Sequence, residues 1–400
     1  MGVCAIYDDG QWNEQIALAA STFGLDFYPQ EFELLDKEEF FVYRVHLGLP
    51  LLQPYWRFSG KEQIFSLSDC KRFFNEKALY ALPQRAYLLR ENTLSETLFA
   101  MIHLYAYNDF VKRNKIFRTI GDGRDILRQF DGHHQFIQSC MENEKIGSGE
   151  VEKILAGAHA ARFQGNQLLH FMMEQGNLSD WQKELLKIVE KETHYFLPQL
   201  ETMIMAEGWA GYWYEKILNQ LALPDELREE CKRMHNVVFY RSTESFTLEK
   251  MAYMLFKKID ETYGPKEIFQ ICQRERDVSF VERYFDWDIY RRLKGAGDLQ
   301  ENGRAEKDAW EMLKKNLLDV AGQRRIPMIR VNGVRVQDGT LLLEHLWDYR
   351  ELQQEYVFEF LKHMVNLWGN KVMIKTKFNN INKLVLCNEC KSIAIKTEGK

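Results

Sequence analysis

The chain has 400 residues, 46% of them hydrophobic and 13% aromatic, enough to bury a substantial core in one large domain or two ordinary ones. Its 53 basic and 58 acidic residues give a net charge of -5 with no basic block to neutralise a row of phosphates, which argues against nucleic acid as the main partner. No apolar run approaches the roughly 20 residues that cross a bilayer, "MGVCAIYDDG" lacks a signal-peptide layout, and Ile6 stands where N-myristoylation wants Ser or Thr, so a cytoplasmic protein without membrane insertion is expected.

In chain order, apolar periodicity of 3.6 predicts helices near Asn13 to Phe23, Ser95 to Lys112, Gly149 to Glu174, Ser179 to Thr193, Leu200 to Leu221 and Leu248 to Tyr263. Thr93 or Ser95, and Ser179-Asp180, supply start signals. "TIGDGRD" has glycines but no preceding strand and reads as a turn, whereas Leu293 to Asp308 is Gly-rich, charged and reads as a surface loop. The last eighty residues change character. "IPMIRVNG", "GTLLLEHLWD", "NKVMIKTKF", "NKLVLC" and "KSIAIK" read as short strands, with "EYVFEFLKHMVNLWG" as a helix packed on them. The expected fold is mainly α: a multi-helix body over residues 1–320 and a small α+β C-terminal domain over residues 321–400.

Seven scattered cysteines argue for reduced thiols. Cys387 and Cys390 form the one close pair, "CNEC", but no second ligand pair stands at finger spacing, and a β-turn between two strands explains them better than zinc. There is no GxSxG, no P-loop and no GxGxxG after a strand.

Two helices carry the candidate chemistry. On the first, Phe99, Ile102, His103, Ala106, Tyr107 and Phe110 share a face, so His103 points inward with Tyr107 at i+4. A zinc peptidase would place HExxH here; Leu104 and Tyr107 replace the glutamate and the second imidazole. On the second, "MIMAEGWAGYWYEKIL", Glu207 sits among apolar and aromatic neighbours, where a carboxylate needs a cation, a donor network or a metal. Gly208 and Gly211 each cost a helix interior roughly 1 kcal/mol, which something passing close to that backbone would justify. A local salt bridge at Glu207, and Trp209, Tyr212 and Trp213 as plain core, are the competing readings. His159, on a small-residue face, reads first as a satisfied core histidine; His133-His134 and His194 lie beside acids as helix-end residues.

With these segments assembled, the chain resembles the SpoVR family, named for stage V sporulation protein R. "FGLDFYPQEFELL" resembles its GLDFYP opening and "PYWRFSGK" its HWSFGK segment. "TLFAMIHLYAYNDFVKRN" resembles AHxxxHxDFFKxN, and "YFLPQLETMIMAEGWAGYW" resembles YFxPQxxT followed by MNEGWAxYWH. "RERDVSFVERYF", "IPMIRVNG" and "HLWDYRELQQEYVFEFLKHMVNLWG" complete the match. The resemblance implies a cytosolic protein tied to spore cortex peptidoglycan, or to stress and starvation programmes. The partners it implies are a serine-kinase-like ATPase and a von Willebrand-type protein.

The family's HxxxH and EGWAxYWH are similar to the His/His/Glu ligand set of gluzincin metallopeptidases. Here Tyr107 and Tyr214 replace two of those histidines and Ala206 replaces the Asn, so His103 and Glu207 alone remain as metal ligands. Phenols are poor zinc ligands and good donors to a buried carboxylate, so a metal-free cluster of His103, Tyr107, Tyr214 and Glu207 is expected, with zinc or iron as the alternative cofactor. The expected activity is binding of partners or a ligand. The alternative is a hydrolase or acyl transferase acting on a peptide or cell-wall fragment, with Glu207 as catalytic base and Tyr195, Glu201, Thr202 and His159 among the pocket residues.

Overall fold

The computed structural model describes residues 9–40, 78–81, 85–119, 123–162, 167–240, 247–294 and 304–398. Their helices are α1 (Asp9–Thr22), α2 (Leu94–Arg113), α3 (Gly123–Glu142), α4 (Ser148–Ala161), α5 (Gln167–Gln175), α6 (Asp180–Gln220), α7 (Asp225–Tyr240), α8 (Leu248–Tyr263), α9 (Pro265–Arg274), α10 (Asp277–Tyr284), α11 (Trp287–Lys294), α12 (Arg304–Val320) and α13 (Gln354–Trp368). The strands are β1 (Glu31–Leu35), β2 (Ala78–Ala81), β3 (Arg85–Leu89), β4 (Ile329–Val334), β5 (Leu341–His345), β6 (Val372–Phe378), β7 (Ile381–Cys387) and β8 (Ile393–Thr397). The protein is mainly α, with a C-terminal five-stranded sheet and its helix. "PYWRFSGK" and most of the loop expected at Leu293 to Asp308 lie outside the described residues.

Contacts divide the chain into two units, and both are discontinuous in sequence. The first gathers the described residues up to 127 together with 198–322, and the second gathers 128–197 and 323–398. This line differs from the one expected at residue 320, because residues 128–197 go with the C-terminal sheet.

The second unit is built on the sheet, whose order is β4-β5-β6-β7-β8. All pairs are antiparallel except β5 with β6, which run parallel through the α13 crossover. β6 alternates strictly between buried and half-buried residues, placing Val372, Ile374, Thr376 and Phe378 under α13. α4 crosses α13 so closely that a Cβ on Gly157 would fall 2.7 Å from Leu367 Cγ. "CNEC" closes the β7–β8 hairpin as expected, with Cys387 buried and Cys390 exposed.

In the first unit, Thr93 caps α2 in a capping box with Glu96, and α2 packs on α1 and α7. A small sheet of order β1-β3-β2, which periodicity did not predict, precedes it. Where one helix was expected over Gly149 to Glu174, α4 and α5 stand apart. The two helices expected on either side of Pro198 are instead the single α6 of 41 residues, with Pro198 inside it. Pro198 costs a ladder bond, and side chains engage the α6 backbone from one turn later. Thr202 Oγ1 donates to the Pro198 carbonyl (2.7 Å), and the buried Asp277 carboxylate, at the start of α10, accepts the N–H groups of Ile204 and Met205 (2.9 Å each).

Candidate functional site

Glu207 lies two residues beyond this Asp277-held turn. Around it, polar bonds tie the surrounding segments into a frame. Asp109, fully buried on α2, accepts the Trp209 indole N–H (3.1 Å), two bonds from Arg113 (2.6 and 3.2 Å) and the backbone N–H of Asp26 (2.7 Å). Burial pushes its carboxyl up, while Arg113 and the other donors pull it down. Asn108 exchanges hydrogen bonds with the Tyr28 backbone and donates to Gln30, and Asn114 donates to the carbonyls of Cys272 and Glu275. "NDFVKRN" is thus joined to "GLDFYP" side chain to backbone and to "EGWA" side chain to side chain. Gly208 and Gly211 make the close approach possible. A Cβ at Gly208 would lie 2.4 Å from Ala252 Cβ on α8, and one at Gly211 would lie 2.4 Å from the Phe239 ring on α7.

Within this frame the structure joins His103 to Glu207, Nε2 to Oε2 at 3.2 Å. His103 is buried, whereas the Glu207 side chain keeps 12% exposure, so solvent reaches the pair from the carboxylate end. The Phe99 ring lies against both His103 (5.9 Å between centroids) and Tyr214 (4.9 Å). Tyr214 sends its proton elsewhere: its hydroxyl donates to the Cys231 carbonyl (3.1 Å), and burial pushes the phenol well above its ordinary range. Tyr107, one turn after His103, is half-buried.

The opposite side of Tyr214 holds a residue that sequence reasoning missed. His235 on α7 stacks on the Tyr214 ring at 5.0 Å and 9°, with Phe239 at 4.6 Å and Tyr253 edge-on. Its signal was the i, i+4 spacing of Cys231, His235 and Phe239, which puts them on one face of α7. Burial, reinforced by the nearby charges of His103 and Lys257 and opposed by Glu215, lowers the His235 imidazole from 6.5 to about 4. Burial likewise pushes the Cys231 thiol up to about 11, away from the thiolate a nucleophile needs.

An imidazole kept neutral by the fold but free to charge in the unfolded chain gives stability that is complete above pH 6.5 and lost as pH falls toward about 4. We expect unfolding free energy to drop across that window, and His235→Phe, which keeps a ring in the stack, to flatten the drop. Urea unfolding at stepped pH reads it; an unchanged slope in the variant would assign the acid sensitivity to other groups.

The remaining expected pocket residues are placed as follows. Thr202 is buried and spent on the Pro198 carbonyl. Glu201 lies 3.8 Å from Arg276 beside Gly322, its carboxyl raised by burial. Tyr195 and His159 belong to the second unit. Tyr195 packs edge-on to Phe130 and Phe196, and His159 Nδ1 accepts from Arg162 (3.2 Å), with burial and the Arg162 charge lowering it to about 3. Another motif pairing does form: His133 Nδ1 meets Glu192 at 3.1 Å.

Among the described residues, no three or more His, Cys, Asp or Glu side chains are placed to hold a metal ion together. His103 and Glu207 supply two donors of the required kind, and the Tyr214 oxygen is committed to a carbonyl. This donor set does not fit a tetrahedral zinc.

The family profile described as SpoVR like protein matches residues 8–167 and 161–323, and that of the SpoVR-like C-terminal domain matches residues 327–379. The chain belongs to the SpoVR family. A similar protein is "Uncharacterized protein YcgB" of Escherichia coli (strain K12), 24% identical over 94% of this chain and 93% of its own length. No solved structure matches. The SpoVR profile spans the frame and the His103–Glu207 pair alike, and the C-terminal profile covers β4 through β6. No helix of the described residues is long and apolar enough to cross a membrane.

Proposed function

We propose that this SpoVR-family protein is a cytosolic factor of sporulation or stress, linked to spore cortex peptidoglycan, that works by binding partners or a ligand at a degenerate metal-type site. The partners we propose are a serine-kinase-like ATPase and a von Willebrand-type protein. The observation that carries the binding reading is the Tyr214–Cys231 hydrogen bond: it removes from the site the group that stands where the family has a histidine. What remains is a His103–Glu207 pair, which can hold a proton or a polar ligand group and which, among the described residues, is not part of a group of three metal-ligating side chains.

The test is metal content of the full chain purified without chelator or nickel, alongside a Tyr107→His, Tyr214→His double variant. We expect no stoichiometric zinc or iron in the natural protein and a gain of metal in the double variant. Stoichiometric zinc or iron in the natural protein overturns the reading.

A second reading has one observation in its favour, the partial exposure of Glu207. A carboxylate at the solvent edge with a buried imidazole behind it has the layout of a general base, and would suit hydrolysis or acyl transfer on a peptide or cell-wall fragment. Hydrolysis of such a fragment that disappears in Glu207→Gln, with stability unchanged, would establish it.

A further inference from the structure

Strand β8 ends the C-terminal sheet, and among the described residues it pairs with β7 alone. The Glu398 N–H reaches the Asn382 carbonyl and the Ser392 carbonyl accepts from Asn388, so by antiparallel alternation the even-numbered residues of β8 bond to β7. Ile393, Ile395 and Thr397 therefore turn their backbone N–H and C=O groups to the outer edge. Ile395 is 43% exposed although its cross-strand partner Val385 is fully buried, which shows the cover on that face ending before the edge. An open edge with bare apolar side chains is a template for another strand.

Charge selects the kind of strand. Residues 321–400 hold thirteen lysines and arginines against eight aspartates and glutamates, within a chain of net charge -5. Lys396 stands on β8 itself and Lys391 sits in the β7–β8 turn, whereas Lys375, in the same cross-strand row through Leu384, is already paired with Glu398. A second copy pairing through its own β8 about Ile395 would bring Lys396 near Lys396, which like-charge repulsion opposes, whereas an acidic strand can meet Lys396 with a carboxylate.

We propose that β8 is a docking edge for an extended acidic segment of a partner protein, which adds as a further antiparallel or parallel strand with its carboxylates facing Lys396. Main-chain bonds to Ile393, Ile395 and Thr397 supply affinity, and the lysines supply selectivity. The inference does not rest on the reading of Glu207.

The test uses the full chain and a fluorescein-labelled, capped octapeptide alternating Glu and Val, with a Lys-Val peptide as control. Binding is read by fluorescence anisotropy and hydrogen exchange. The acidic peptide is expected to bind, to protect the amides of Ile393, Ile395 and Thr397, and to lose about tenfold or more in affinity with Lys396→Glu. Ile395→Pro removes an outward N–H without taking a bond from β7, so it should abolish binding while leaving the circular dichroism spectrum unchanged. If that variant fails to fold, Lys396→Glu still decides. Absence of binding, equal binding of the basic peptide, protection elsewhere than β8, or a wild-type dimer that Ile395→Pro makes monomeric would overturn the proposal.

Discussion

Replacing Asp109 with Ala should lower the unfolding free energy by about 3–5 kcal/mol, the usual cost of stripping one partner from a buried ion pair. Asp109 is fully buried, and its carboxylate answers a guanidinium, an indole N–H and a backbone N–H at once. Its removal leaves Arg113, itself four-fifths buried, without its carboxylate and the Trp209 N–H without an acceptor. Asp109→Asn keeps the volume and loses the charge, so it should fall between wild type and Asp109→Ala. Urea unfolding followed by far-UV circular dichroism measures both. A loss under about 1 kcal/mol for Asp109→Ala, the range of an exposed pair, would mean that water replaces the carboxylate and that the frame does not depend on it.

Gly208→Ala should be destabilising although Ala is the better helix former by roughly 1 kcal/mol. The added Cβ would meet Ala252 Cβ at 2.4 Å, the Ala252 carbonyl carbon at 2.6 Å and the Tyr253 nitrogen at 2.9 Å. Two of these three atoms are backbone, so α6 and α8 would have to move apart, and overpacking of this kind costs about 1–3 kcal/mol or more. Gly211→Ala should cost less, because it meets the Phe239 ring rather than backbone. Ala252→Gly should rescue Gly208→Ala in part, by removing the nearest atom. A thermal midpoint that rises in Gly208→Ala would contradict the close crossing.

The C-terminal domain was legible because its pattern is local. β4 to β8 and α13 fall on the six segments that alternation and helical periodicity predict, and α8 coincides with the expected Leu248 to Tyr263. The small sheet was not legible: β1 alternates as Glu-Phe-Glu-Leu but is only five residues long, and it pairs in parallel with β3, Glu31 opposite Arg85, across a long intervening stretch that no local pattern bridges. Pro198 misled for a related reason. Its local meaning is a helix break, yet α6 runs on, and the next turns are held by Asp277, far along the chain.

The site shows the same limit. His103 and Glu207 could be singled out from their helical faces, and the structure places them in contact. That the Tyr214 hydroxyl turns to Cys231, and that His235 lies flat on its ring, depends on how α7 docks against α2 and α6, and no spacing within one segment encodes docking.

Trp209, whose indole is pinned by Asp109, is separated by a single residue from Glu207. The pin and the carboxylate that meets His103 share one turn of α6 but do different physical work: Trp209 ties α6 to α2, while Glu207 keeps one edge in solvent. A change at Asp109, Gly208 or Trp209 therefore acts on how α6 crosses its neighbours, whereas a change at Glu207 acts at the solvent edge. A matching "EGWAGYW" certifies an inherited chassis and leaves the cargo to be established chain by chain.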